Sequence, residues 1–186
     1  MNIRLAAYLQ SDSIVDGEGI RTVIWTQGCH HHCLGCHNPE TWDFDKGALV
    51  PIKEVEQLID DLVGQDGITF SGGDPFYQAK ECAVLAKYAK DKGYNIWCYT
   101  GYVYEDLLKL SKNKKEIMDF LKNIDVLVDG RFVLEKKSYN CIFRGSTNQR
   151  IIDVKESLKK NKTILVEKYL HTQKIESRTR PEGIYI

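Results

Sequence analysis

Arg21-Thr-Val-Ile-Trp-Thr26 leads through Gln27-Gly28 into Cys29-His-His-His-Cys33-Leu-Gly-Cys36. The first six residues are β-branched or aromatic and stop at a glycine, the composition of a strand entering a turn. Outward from this point the pattern repeats. Pro51 to Val63 sets Ile52, Val55, Leu58, Ile59 and Leu62 at helical spacing behind an N-terminal proline. Gly67–Phe70 reads as a short strand ending in Ser71-Gly72-Gly73, and Ala79–Lys92 as a helix stopped by Gly93. Asn95–Thr100 is a strand ending at Gly101; Tyr104–Leu121 holds one or two helices with a break near Asn113; Asp125–Val128 is a strand ending in Asp129-Gly130. A short strand is expected before residue 10, a loop over Ser138–Thr147, strands near Arg150–Val154 and Thr163–Val166, and a polar C-terminal tail. Four strand-then-helix units predict an α/β fold with a parallel sheet and crossover helices. They are too few for a closed eightfold barrel, so a partial, open β/α barrel is expected, as one domain over residues 1–186. In such folds ligands gather at the carboxyl ends of the strands, where the cysteines fall.

Composition narrows the function classes. Lys plus Arg and Asp plus Glu are balanced at 26 each, so no overall field draws the chain to nucleic acid or to an anionic membrane. Hydrophobic content of 42% and charged content of 28% are ordinary for a globular protein. No apolar run nears the roughly 20 residues that span a bilayer. The N-terminal apolar stretch is too short for a signal peptide. A cytoplasmic protein is expected.

Cys29, Cys33 and Cys36 form a C-x3-C-x2-C cluster, while Cys82, Cys98 and Cys141 are isolated and read as buried thiols. Adjacent loop cysteines in a reducing compartment are metal ligands or redox thiols more often than disulfides. Three thiolates can hold three corners of an iron–sulfur cube and leave one iron open to a ligand, whereas ferredoxin-type carriers fill all four corners. A zinc site would need a fourth ligand, which His30, His31, His32 or His37 could supply, although no second C-x2-C or H-x3-H pair is present.

The stretches Val15-Asp-Gly-Glu-Gly-Ile-Arg-Thr-Val-Ile-Trp-Thr-Gln-Gly-Cys29 and Cys36-His-Asn-Pro-Glu-Thr-Trp42 resemble the signature of the radical S-adenosylmethionine enzymes, and within them the glycyl-radical-enzyme activases. The resemblance implies a [4Fe–4S] cluster on Cys29, Cys33 and Cys36, with S-adenosylmethionine chelated to the open iron. It implies reductive cleavage to a 5′-deoxyadenosyl radical, which takes hydrogen from a glycine of a partner enzyme. Ser71-Gly72-Gly73-Asp74-Pro75 resembles the family's glycine-rich motif, which implies contact with the methionine amino group. Backbone groups of Gly35, Cys36 and His37 would face the adenine, although many relatives carry an aromatic residue where this chain has Gly35. Asp125-Val-Leu-Val-Asp129-Gly-Arg131 is similar to the segment that approaches the ribose and carboxylate, with Thr100 a further candidate for that pocket. Tyr99 stands where some activases carry an acid, so no cation site is expected there. Asp16, Gly17, Gly19 and Arg21 resemble the loop that receives the glycine-bearing peptide; Phe143–Arg150 is similar to an activase segment without an assigned role.

The compact chain, with Cys36-His-Asn-Pro-Glu-Thr-Trp42 and Leu127-Val-Asp-Gly-Arg-Phe132, is more similar to the activases of anaerobic ribonucleoside-triphosphate reductase than to the longer pyruvate formate-lyase activases. This implies as partners the large subunit of that reductase and a flavodoxin-type electron donor. The alternatives are an activase of another glycyl radical enzyme such as pyruvate formate-lyase, a non-catalytic iron–sulfur or zinc module, and a radical enzyme acting on a small molecule. Plain structural readings stand beside each motif: a turn for Gly72-Gly73, a surface ion pair for Asp129 and Arg131, and a turn before a strand for Asp16–Arg21.

Overall fold

A computed structural model describes residues 1–170. The expected polar tail beyond Leu170 lies outside the described residues. In chain order the strands and helices are β1 (Asn2–Leu5), β2 (Gln10–Ser13), β3 (Arg21–Thr26), β4 (Ala48–Pro51), α1 (Ile52–Asp60), β5 (Gly67–Gly72), α2 (Ala79–Asp91), β6 (Asn95–Tyr99), α3 (Tyr104–Leu110), α4 (Lys115–Leu121), β7 (Val126–Asp129), β8 (Arg150–Asp153) and α5 (Val154–Lys160). They build a mixed α/β structure around one sheet of order β4-β1-β3-β5-β6-β7-β8, with β2 beside β3. The centre, β3-β5-β6-β7, is parallel, and its register pairs Thr26 with Gly72, Phe70 with Cys98 and Tyr99 with Val128. Their carboxyl ends therefore finish together.

Alternation along the strands sorts the side chains into two layers. Ile24, Ile68, Phe70, Ile96, Cys98 and Leu127 face the helices, where Val55, Ile59, Leu85, Ala86, Ala89 and Phe120 complete the main core. Trp97, Val128, Ile151 and Tyr169 form a smaller cluster on the other face. Fully burying side chains of this kind stabilises by about 1.5–3 kcal/mol each, before the entropy of ordering them is counted.

Several expectations are corrected. The last of the four predicted strand–helix units fails: β7 is not followed directly by an α-helix, and the chain returns antiparallel as β8 before it enters α5. β2 and β4 are additional antiparallel strands, on β3 and β1 respectively. Pro51 ends β4 and caps α1, so that helix begins at Ile52. Thr163–Val166 contributes a single bridge, Leu165 to Ile152, rather than a strand. The region Tyr104–Leu121 does divide into two helices, broken around Asn113. Among the described residues no helix is long and apolar enough to cross a membrane.

Candidate active site at the strand ends

β3 delivers the cysteine loop. Gly28 leaves the strand at φ +101°, and a Cβ there would lie 2.5 Å from the Phe44 ring, so the turn requires glycine. Its amide donates to the Thr41 carbonyl at 2.8 Å and the Cys29 amide to the Trp42 carbonyl at 3.0 Å. The Gln27 side chain donates to the carbonyls of Glu40 and Asp43 at 3.1 and 2.6 Å. These bonds strap the loop to the turn at Pro39–Thr41. Cys29 is buried, and Cys33 and Cys36 are half-buried.

All three cysteines line one cleft of about 110 Å³, together with Ser71, Gly72 and Gly73 at the end of β5 and Thr100 and Gly101 at the end of β6. Through Cys36, Ser71, Tyr99, Phe132 and Gln149 this opens into a larger cleft of about 700 Å³, whose far wall carries Asp16, His37 and Phe143. A cleft of that order is the usual size for a nucleoside-sized ligand. An apolar hollow of about 480 Å³ between β1, β4 and α1 contains no cysteine.

Burial favours the protonated form of two of these thiols. Burial pushes Cys29 up to about 11, opposed by an amide bond from His31. Burial also raises Cys33, opposed by the Phe132 amide and by the nearby Arg131 charge. Loading a metal must therefore displace protons from the loop. The His31 amide lies 3.4 Å from Cys29 Sγ and the Asn38 amide 3.4 Å from Cys36 Sγ, donors suited to thiolates. Among the described residues no three Cys, His, Asp or Glu side chains converge on one point. Three thiols spread around one cleft fit a cluster, in which each thiolate binds its own iron. A fourth protein ligand is not supplied by the histidines: His30 packs on Phe44, His32 stacks on Trp42, His37 meets Phe132 and His31 bonds Asp74.

The other residues singled out from the sequence divide. Gly72 (φ +105°) and Gly73 line the cleft, and a Cβ on Gly73 would lie 2.4 Å from the Gly28 carbonyl oxygen. Asp74 sits behind that turn and is fully buried. Its carboxylate accepts from Phe76 N, Thr100 Oγ1, Gly101 N and His31 Nε2, which leaves it no free face for a cofactor. Thr100 borders the cleft, but its hydroxyl is committed to Asp74. Asp129 is 1% exposed and accepts from the Tyr104 amide at 2.8 Å and from Arg150, which also pairs with Glu105. Asp129 and Arg131 face a neighbouring hollow rather than the cysteine cleft; Arg131 is exposed. Gly35 (φ +73°) turns the loop against Leu134 and Phe132.

Asp16 lines the larger cleft and accepts from Ser13 Oγ at 2.5 Å. Gly17 (φ +127°) and Gly19 (φ +80°) shape its loop against Trp97 and Asp66. Arg21 is wholly buried: it donates to Thr69 Oγ1, to Asn95 Oδ1 and to the carbonyls of Glu18, Ile68 and Asn95. Sequence reasoning named His31 only as an alternative zinc ligand and assigned no role to Phe132 or Gln149. Gln149 Nε2 donates to the Gly130 carbonyl and its Oε1 accepts from the Gly145 and Ser146 amides, so the segment Phe143–Arg150 serves as a cleft wall. The similarity of that segment to an activase was its only signal.

Residues 15–152 match the family model described as a 4Fe-4S single cluster domain. The chain is similar to the anaerobic ribonucleoside-triphosphate reductase-activating protein of Haemophilus influenzae, 35% identical over 77% of this chain and 96% of that protein. It is equally similar to the protein of that name from Escherichia coli K12, 35% identical over 73% of this chain and 90% of the relative. The namesake from Enterobacteria phage T4 is 34% identical over 74% and 86%.

Proposed function

Because the chain belongs to the 4Fe-4S single cluster domain family and to the anaerobic ribonucleoside-triphosphate reductase-activating proteins, we propose that it activates such a reductase through a [4Fe–4S] cluster on Cys29, Cys33 and Cys36 and S-adenosylmethionine. Held there, the reduced cluster would supply the one electron that breaks the C5′–S bond of S-adenosylmethionine, leaving methionine and a 5′-deoxyadenosyl radical that would take a hydrogen atom from a glycine of the reductase large subunit. The observation that carries the reading is the shared cleft: three thiols and the turn Gly72-Gly73 meet at the carboxyl ends of parallel strands.

The residues divide the work. The cysteines ligate. The Gly73 carbonyl, to which no group among the described residues donates, would accept from the methionine ammonium. Backbone at Cys36 and His37, beside Phe132, borders the space for the adenine. Trp42 and Tyr99 cover the flanks of the cleft and limit water there. Asp16 and Phe143, on the outer wall, border the space for a glycine-bearing segment. Gly17, Gly19 and Arg21 shape that wall from behind, and Asp74, Thr100 and Asp129 hold the strand ends. Arg131, the one cation of this set left exposed, is available to a carboxylate at the neighbouring mouth. The sheet would represent a partial β/α barrel of the radical S-adenosylmethionine type, forming one cytoplasmic domain that is reduced by a flavodoxin-type donor.

The test is anaerobic: iron and sulfide per chain, then electron paramagnetic resonance of the reduced protein with and without S-adenosylmethionine, then the glycyl radical signal on added reductase. About four irons and four sulfides, a cluster signal altered by the cofactor, and a reductase radical are expected. Zinc without sulfide, or a cluster signal indifferent to the cofactor, would overturn the proposal.

A further inference from the structure

Of the three consecutive histidines in the cysteine loop, one has a polar anchor. His30 and His32 are exposed and rest on aromatic rings, whereas His31 turns toward the strand ends. Its Nε2 donates to Asp74 Oδ2 at 2.8 Å, and the two side chains are 6% and 1% exposed. The ring lies over Gly101, where an added Cβ would stand 2.4 Å from it, and meets the edge of Tyr102 at 4.7 Å between centroids. The anchor is itself fixed, because Asp74 also accepts from Phe76 N, Thr100 Oγ1 and Gly101 N.

The cysteine loop and the glycine turn are thus joined twice. Near Cys29 the joint is backbone: Gly73 N donates to Thr26 O at 2.7 Å and Asp74 N to Gly28 O at 2.9 Å. Beyond Cys29 the segment could still pivot about that joint. His31, midway between Cys29 and Cys33, supplies the second attachment and removes the pivot. We propose that His31 is a positioning residue that locks the cysteine loop to the Gly72-Gly73 turn, so that the open corner of the cluster and the Gly73 carbonyl are held in one geometry for the amino-acid end of S-adenosylmethionine. This rests on the functional reading above. Ligation by three thiolates does not need the lock, but simultaneous engagement of the open iron and the turn does.

Partners that orient ligating loops are worth roughly 10- to 100-fold in affinity or activity. In the full-length protein, reconstituted anaerobically, His31→Ala is expected to keep its iron and sulfide. It is expected to bind S-adenosylmethionine about tenfold more weakly by equilibrium dialysis and to lose most of the cofactor-induced change in the cluster's paramagnetic resonance. His31→Gln, whose amide reaches as far as Nε2 and can donate to Asp74, is expected to restore both readouts. Gly101→Ala removes no hydrogen-bonding group but displaces the ring, and is expected to reproduce the His31→Ala phenotype; it keeps the test open should His31→Ala not fold. Wild-type affinity and spectral response in Gly101→Ala and His31→Ala would overturn the proposal. So would failure of His31→Gln and Gly101→Ala to load the cluster, which would make the contact a requirement for assembly rather than for geometry. If the wild-type protein itself carries no cofactor-responsive cluster, the functional reading fails first, and the two failures are distinguished.

Discussion

Replacing Arg21 with alanine separates a buried clamp from a partner-facing residue. The guanidinium has no exposed surface and makes five hydrogen bonds of 2.7–3.3 Å, to Thr69, Glu18, Ile68 and both oxygens of Asn95, while lying 5.5 Å from the centre of the Trp97 ring. It ties the start of β3 to the starts of β5 and β6. Each buried acceptor left without a donor costs about 1–3 kcal/mol. The sum is reduced by relief of charge burial, which already lowers the arginine to about 10. A net loss of about 3 kcal/mol follows, and for a chain of this size the melting temperature should fall by about 6–12 °C. Thermal unfolding followed by circular dichroism measures it. Arg21→Met, which keeps volume without donors, should recover only the packing part. An unchanged melting temperature in Arg21→Ala, together with lost activation of the reductase, would refute the clamp and return Arg21 to the docking surface.

Cys33→Ala should abolish cluster assembly, read as iron and sulfide per chain, because two thiolates cannot hold three corners. Gly73→Val places a side chain 2.4 Å from the Gly28 carbonyl. It should therefore part the two turns and weaken S-adenosylmethionine binding more than iron content; unchanged affinity would remove the turn from the site. Glu105 is lowered to about 2, chiefly by hydrogen bonding from Arg150 with help from Thr163. A carboxyl depressed in the folded state stabilises it above the ordinary value of 4.5 and loses that contribution as the pH falls through about 2. Glu105 is 43% exposed, so the contribution should stay below about 1 kcal/mol. Melting temperatures of wild type and Glu105→Gln should accordingly differ slightly at neutral pH and converge on acidification.

The parallel centre of the sheet was legible because β3, β5 and β6 are buried on both faces and spell this out in β-branched and aromatic residues. β2 (QSDS) carries no apolar alternation; its pairing with β3 decides its conformation. β4 was hidden by Pro51, whose value as a helix opener masked its place at a strand end. That Cys29, Cys33 and Cys36 act as one group was suggested by their spacing, and the structure brings them to one cleft. The acids beside the glycine turns were located but not oriented. Asp74 and Asp129 stand next to the positions proposed to bind ligand, yet their side chains turn inward to amides on other elements, Gly101 and Tyr104, which no local pattern announces. Nor does a run of three histidines indicate which member points inward, since that depends on the cup formed by Asp74, Gly101 and Tyr102.

Those inward acids bear on the kind of ligand the cleft accepts. A glycine-rich turn after a parallel strand commonly binds phosphate, through amides directed at the anion. Here the corresponding donors are spent. The Gly73 and Asp74 amides serve the Thr26 and Gly28 carbonyls, while the Phe76, Gly101 and Tyr104 amides serve Asp74 and Asp129. What the turn retains is an acceptor, the Gly73 carbonyl, to which no described group donates, in a cleft shared with thiols that would become anionic on the proposed ligation. Such a surface repels a phosphate and suits a ligand that brings its own donors and positive charge. An ammonium group next to a sulfonium meets both requirements, whereas ATP at the same concentration should leave S-adenosylmethionine binding undisturbed in a competition assay. Effective competition by ATP would mean that the amides of this turn are free in solution, and the assignment of the Gly73 carbonyl would fall with that result.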